Sequence, residues 1–142
     1  MSVTVITGTW ADLGAAASAI RQEVFVEEQR VPAELELDDY DAVSIHALAL
    51  DGKTSLGTGR LLPDGHIGRM AVRREVRGSG IGSKLLQALM QQAQQRGDSA
   101  VVLHAQLSAV GFYQRHGYTS EGDVFMDAGI EHIAMRHRFF PG

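Results

Sequence analysis

The sequence has 142 residues, of which 44% are hydrophobic and 21% charged, a balance ordinary for a globular domain able to bury a core. The absence of cysteine excludes disulfides, thiolate metal sites and a cysteine nucleophile, and it suits a reducing compartment, so a cytoplasmic location is expected. A formal net charge of −4 and short apolar runs argue against general nucleic-acid binding and against a membrane span, and no basic region precedes an apolar stretch as a signal peptide requires.

Val3–Thr7 is β-branched and predicts a short strand. Asp12 can cap a helix running to about Phe25, with Leu13, Ala16, Ala17, Ile20 and Val24 at helical spacing. A second short helix is expected around Ala33–Leu37. Val43–Leu50 reads as a strand, Asp51-Gly52 as a hairpin turn and Thr54–Leu62 as the partner strand. Pro63-Asp64-Gly65 is a second turn. His66–Arg73 is the fourth strand, with Ile67 and Ala71 expected on one face and Met70 and Val72 on the other. A helix follows from about Ile81 to Arg96, its stripe made by Ile81, Leu85, Leu86, Leu89, Met90 and Ala93 and its end set by Gly97. Ala100–His104 predicts a strand. Ser108 is expected to cap a short helix, Ala109–His116, ended by Gly117. Tyr118–Phe125 and Ile130–Phe139 predict two last strands around a turn at Ala128-Gly129. The order β-α-α-β-β-β-α-β-α-β-β belongs to one mixed α/β layer system.

Charge is uneven along the chain. Glu23 to Asp41 holds eight acids and one base, Arg30; Arg69 to Lys84 holds five bases (Arg69, Arg73, Arg74, Arg77, Lys84) and one acid, Glu75. Each run singly reads as a solvated face; together they suggest one site for an anion and one for a cation.

Gly78, Gly80 and Gly82 lie where the fourth strand feeds the long helix. Glycine loses more backbone freedom on ordering than any other residue, so three in five positions need a reason. A P-loop fails, because Ser83 displaces Lys84 by one position. A dinucleotide fingerprint fails on its G-x-G-x-G spacing. A plain chain-reversing turn remains open. The other reading is an anion cradle: the first turn of a helix offers unpaired N–H groups and positive potential, and glycines let a diphosphate reach them, with Arg73, Arg74, Arg77 and Lys84 adding charge.

Arg77-Gly78-Ser79-Gly80-Ile81-Gly82 also fits the Q/R-x-x-G-x-G/A signature of the GNAT (GCN5-related N-acetyltransferase) superfamily. Phe112-Tyr113-x-x-x-Gly117-Tyr118 resembles that family's F-Y-x-x-x-G-F/Y segment, and the resemblance covers nearly the whole chain. Arg21–Gln29 and Asp127-x-Gly129-Ile130-x-His132-Ile133-x-Met135 resemble its ElaA-like branch. The resemblance implies the acyl-CoA N-acyltransferase fold over residues 1–142 as a single domain. That fold is a central mixed, mostly antiparallel sheet of about six or seven strands flanked by about four helices, with strands 4 and 5 splayed.

It further implies acetyl-CoA as cosubstrate and no metal. The pyrophosphate would rest on Arg77, Gly78, Ser79, Gly80, Ile81 and Gly82. The pantetheine arm would pair with Met70, Ala71 and Val72, where a main-chain N–H can stabilise the oxyanion. Tyr113 would protonate the leaving thiolate; its bland reading is packing beside Phe112. Gln106 stands near a position where relatives carry a pantetheine-contacting Asn. For the base that takes the acceptor's proton, Glu28, His104 and His132 are candidates, with Glu28 and His132 also able to touch the acceptor; each has a bland reading as a surface acid or a strand histidine. Acetyl transfer to a primary amine of a small molecule, by direct transfer in a ternary complex, is the expected activity. A peptide or protein N-acetyltransferase and a non-catalytic CoA-binding module are the alternatives. The apolar end Phe139-Phe140-Pro141 could cover the domain or meet a second copy in a homodimer.

Overall fold

The computed structural model describes residues 2–36 and 38–139; Leu37 and the Phe140-Pro141 part of the apolar end lie outside the described residues. Seven strands form one sheet: β1 (Val3–Gly8), β2 (Ile45–Asp51), β3 (Thr54–Leu61), β4 (His66–Val72), β5 (Ala100–Gln106), β6 (Thr119–Asp127) and β7 (Ile130–Arg138). Their order across the sheet is β1-β2-β3-β4-β5-β7-β6. All neighbours are antiparallel except β4 and β5, and the helices are α1 (Trp10–Arg21), α2 (Ala33–Glu36), α3 (Ile81–Gln95) and α4 (Val110–Arg115). This is the acyl-CoA N-acyltransferase architecture that the sequence predicts.

Helix α3 covers one face. Ile81, Leu85, Leu86, Leu89 and Ala93, spaced along one stripe, are all buried against Ala47, Ala49, Leu61, Ile67 and Val101 of the sheet. Each large side chain so buried is worth about 1.5–3 kcal/mol relative to exposure. Helix α1 covers the other face with Leu13, Ile20 and, beyond its end, Val24, against Leu48 and Ala71. At the C-terminal end Phe139 packs on the first of these cores.

Two local corrections concern caps. Thr9, not Asp12, caps α1, its hydroxyl accepting the Asp12 N–H at 3.3 Å. Ser108 does not cap α4: it lies inside a 3₁₀ turn, Leu107–Ala109, and Ala109 precedes the helix without a side-chain bond. Two larger differences shape the site. The first helix continues not as an α-helix but as a π-helix over Gln22–Glu28. And β4 is bulged: Arg60 pairs with Gly68 but Thr58 with Ala71, so one residue is inserted opposite Gly59, with Arg69 at φ 49. A bulge breaks the two-residue alternation. Ile67, Met70 and Val72 therefore all pack with the α3 core while Ala71 packs under α1, which corrects the expected pairing of Ile67 with Ala71.

Candidate active site

Past β4 the chain makes a 3₁₀ turn, Arg74–Val76, and enters α3 through Gly78 at φ 83 and Gly80 at φ 85. A side chain on either would meet no atom within 4 Å. Left-handed backbone, not crowding, thus calls for glycine here, and the space before the helix is open. Gly80 is the residue that precedes α3, and no side chain caps it. Ser79 turns its hydroxyl back onto the Val76 carbonyl. Gly82 differs: a Cβ there would touch the Phe112 ring at 3.5 Å, so it also seats α4 against α3. Bare amides at the start of a fifteen-residue helix, behind glycines that leave the approach open, fit a diphosphate.

The charged side chains around this mouth are not arranged as expected. Arg77 donates twice to Glu28, at 2.6 and 2.7 Å, and its Nε donates to the Val72 carbonyl at 2.9 Å. Arg73 pairs with Glu23 at 2.7 Å and Arg74 with Glu28 at 3.6 Å. The acidic and basic runs are thus partners of one another rather than separate sites for a cation and an anion. The π-helix makes this possible. Its turns bring residues five apart one above the other, so Glu23 and Glu28 both face the arginines that follow β4. The Arg77 hydrogen bonds hold the Glu28 carboxyl below the usual glutamate value, which makes Glu28 a weak proton acceptor and counts against it as the base.

Strands β4 and β5 pair only at His66–Val102 and Ile67–Leu103 and then part. The Arg73 N–H donates to the Leu56 carbonyl at 2.9 Å. By antiparallel alternation Ala71 then bonds toward β3, while Val72 directs its N–H away from β3, into the gap. Of the three residues expected to meet the pantetheine arm, Val72 offers this donor, Met70 lines the cavity described next, and Ala71 turns its side chain to the α1 core.

A cavity of about 530 Å³ opens at the gap, and Tyr113, His104, His132 and Gln106 all line it. The Tyr113 ring packs edge-on against Phe112 and Tyr118, and burial pushes its phenol up to about 12. His104, near the end of β5, lies edge-on to His66 and to Phe125, at centroid distances of 5.7 and 5.1 Å. Burial, and then the positive charge that His66 carries when protonated, holds it below the ordinary histidine value, with Asp127 pulling the other way. His132 stacks on Phe125 and shares a 2.7 Å hydrogen bond between its Nδ1 and the Ile130 carbonyl; as that nitrogen can only donate to a carbonyl, Nε2 is left as the acceptor of the neutral ring. Gln106 donates to the Gln29 side chain at 3.2 Å. The fold therefore gathers Tyr113, His104, His132 and Gln106 at one cavity and leaves Glu28 outside it, at the mouth of α3.

The sequence did not point to the rest of the wall. Phe25 comes from the π-helix and Gln29 from the residue that follows it, Tyr40 from the loop after α2, and Arg60 and Arg69 from β3 and β4. Arg60 had a visible signal: a charge inside the apolar strand run Gly57–Leu61, which a buried residue can carry only with partners. Among the described residues no group of three or more metal-ligating side chains is placed to hold an ion, and no helix is long and apolar enough to cross a membrane.

A family model described as an acetyltransferase (GNAT) domain matches residues 13–139. The chain belongs to the GNAT family. GNAT proteins transfer an acyl group from acetyl-CoA or another acyl-CoA, and the chain is accordingly an acyltransferase. The uncharacterised N-acetyltransferase YjcF of Bacillus subtilis is 42% identical over 121 residues, 82% of this chain and 86% of that protein. Among solved structures, an acyl-CoA N-acyltransferase from Pseudomonas aeruginosa has a TM-score of 0.86 at 32% identity, covering 96% of this chain and 99% of its own. Escherichia coli ElaA has a TM-score of 0.87 at 26% identity, covering 95% and 99%, in line with the ElaA-like segments at Arg21–Gln29 and Asp127–Met135.

Proposed function

We propose that this GNAT protein moves the acetyl group of acetyl-CoA to the primary amine of a small molecule, by direct transfer with both substrates bound. The observation that carries the reading is the run of bare amides and left-handed glycines at the mouth of α3, which follows β4, the strand whose residues His66 to Met70 line the cavity with Tyr113. Gly78, Gly80 and the first N–H groups of α3 would hold the pyrophosphate. The Val72 N–H lies on the side of β4 where the pantetheine arm would run. The bound cosubstrate supplies the acetyl thioester. His104 takes the proton of the acceptor ammonium, which frees the nitrogen lone pair to form the new C–N bond as the C–S bond breaks. Tyr113 gives its phenolic proton to the departing sulfur; the nitrogen sheds its second proton to water as the amide forms, and the phenolate takes a proton back from solvent.

The acidic run could face a basic peptide as readily as a polyamine, and five of its acids, Glu23, Glu28, Glu36, Asp38 and Asp41, pair with arginines, which counts against either polycation and leaves peptide acceptors to the assay. The deciding experiment is a thiol-release assay with acetyl-CoA across amines, amino acids, amino sugars and Lys-containing peptides, alongside calorimetric titration of CoA. Release with small amines and tight CoA binding support the reading. No CoA binding, or release with peptides alone, would overturn it.

A further inference from the structure

Two arginines in the cavity wall have hydrogen-bond donors with no partner among the described residues. Arg60 lies opposite Gly68 on β4, four residues before Val72, and is only 5% exposed. Its Nη1 and Nη2 are spent on Asp38, at 2.7 Å each, and on Asp41 at 2.9 Å. Its Nε is buried and donates to nothing among the described residues. Arg69, on the β4 bulge, spends Nε and Nη2 on the Leu35 and Glu36 carbonyls and on Asp38, and its Nη1 has no hydrogen-bond partner among the described residues. Both residues line the cavity. A buried donor left unmade costs about 1–3 kcal/mol, so an oxygen brought by a ligand would relieve it.

The acids that bond the two arginines are already paired, while Asp127 elsewhere in the wall has no arginine partner among the described residues. Glu36 is held by Arg21, Asp41 by Arg21 and Arg60, and Asp38 by Arg60 and Arg69. Asp64, also in the wall, accepts the His66 backbone N–H at 3.0 Å. Arg21, Arg60 and Arg69 balance Glu36, Asp38 and Asp41 in charge, so selection here works through the two unspent N–H directions, not through a net field. Arg69 is pushed below its ordinary value by burial and then by the charge of Arg60, a repulsion that an oxyanion between them would cancel.

We propose that the acceptor is an amine bearing an anionic oxygen group, carboxylate or phosphate, received by Arg60 Nε and Arg69 Nη1 at the end of the cavity remote from the α3 mouth. The inference rests on the acetyl-transfer reading above. Planar guanidinium donors suit both oxyanions. The two classes are separated by matched pairs: phenylalanine against 2-phenylethylamine, and phosphoethanolamine against ethanolamine.

The wild-type protein should show a kcat/KM about tenfold or more higher for the anionic member of at least one pair, the worth of one charge-assisted hydrogen bond. Calorimetry should detect that member, but not its neutral partner, binding to the CoA-saturated protein. In Arg69→Gln the preference should shrink by a similar factor. Equal kcat/KM within both pairs, binding of the neutral members alone, or a variant that lowers both members equally would overturn the inference. A protein that binds CoA and acetylates plain amines, with no preference, loses only this inference; one that binds no CoA loses the acetyl-transfer reading.

Discussion

Tyr113 and His104 face the same cavity with opposite proton requirements, and burial serves both. It pushes the Tyr113 phenol up to about 12, so the ring keeps its proton at any working pH, as a donor to sulfur must. At His104, which is exposed on β5, partial desolvation draws the imidazole below the ordinary histidine value, which favours the neutral, accepting ring. Replacing Tyr113 by Phe should lower kcat by about 10²- to 10⁴-fold, the usual worth of a positioned acid, and leave the CoA dissociation constant unchanged; calorimetry and steady-state rates check both halves. A kcat equal to wild type would assign Tyr113 to packing alone. For His104, kcat/KM should rise with pH along an acid limb whose midpoint lies below 6.5, the ordinary histidine value, and His104→Gln should abolish that limb. The motif made Tyr113 legible in the sequence. The loss of Glu28 to Arg77 was not legible, because the two are 49 residues apart and only the π-helix aligns them.

At the scale of elements, two glycines of one neighbourhood separate two kinds of constraint. Gly80 has a left-handed backbone and empty space around it; Gly57 has no such backbone, but a Cβ there would lie 2.9 Å from Leu85 Cδ1 and 3.0 Å from the Ala71 carbonyl oxygen. Gly57→Ala should therefore destabilise the fold by about 1–3 kcal/mol through overpacking, since a backbone oxygen cannot yield, and urea unfolding measures it. Gly80→Ala should cost about 1–2 kcal/mol through backbone strain. Gly80→Glu adds a carboxylate where the diphosphate would lie, and it should weaken CoA binding well beyond that strain. Unaltered CoA affinity in Gly80→Glu would remove the cradle from the mechanism. Periodicity made the helices and strands legible to within a few residues, down to the α3 stripe and the turns at Gly52, Gly65 and Gly129. The bulge at Arg69 and the π-helix at Gln22–Glu28 were not legible. Both insert a residue without changing composition, and no two- or 3.6-residue repeat registers the insertion.

For the molecule as a whole, the buried ion network ties α1 and the segment 36–41 to the sheet. Arg21 of α1, only 1% exposed, bonds Glu36 of α2 and Asp41, while Arg60 of β3 bonds Asp38 and Asp41. The segment that walls the cavity is thus fastened to the sheet by charge, and charge responds to acid. The Arg60 hydrogen bonds draw Asp38 down from 3.8 to about 2. A carboxyl lowered in the folded state binds protons more readily when unfolded, so its stabilising effect is complete above 3.8 and is lost as the pH falls toward about 2. His46 adds a second window. It is buried, with its Nε2 donating to the Asp41 carbonyl at 2.9 Å, and burial holds it below 6.5. The unfolded chain takes up that proton first, so stability also declines as the pH drops through 6.5. The urea midpoint should therefore fall in two stages, one beginning near 6.5 and one below 4. His46→Gln should make the first shallower, with His104 carrying the rest, and Asp38→Asn should make the second shallower, a stage shared with Glu28 and Asp41, since each variant removes one of the groups that titrate. If Asp38→Asn keeps the full acid slope below pH 4, the Arg60–Asp38 pair is not what couples the cavity wall to the sheet, and other carboxylates set the acid limit of the fold.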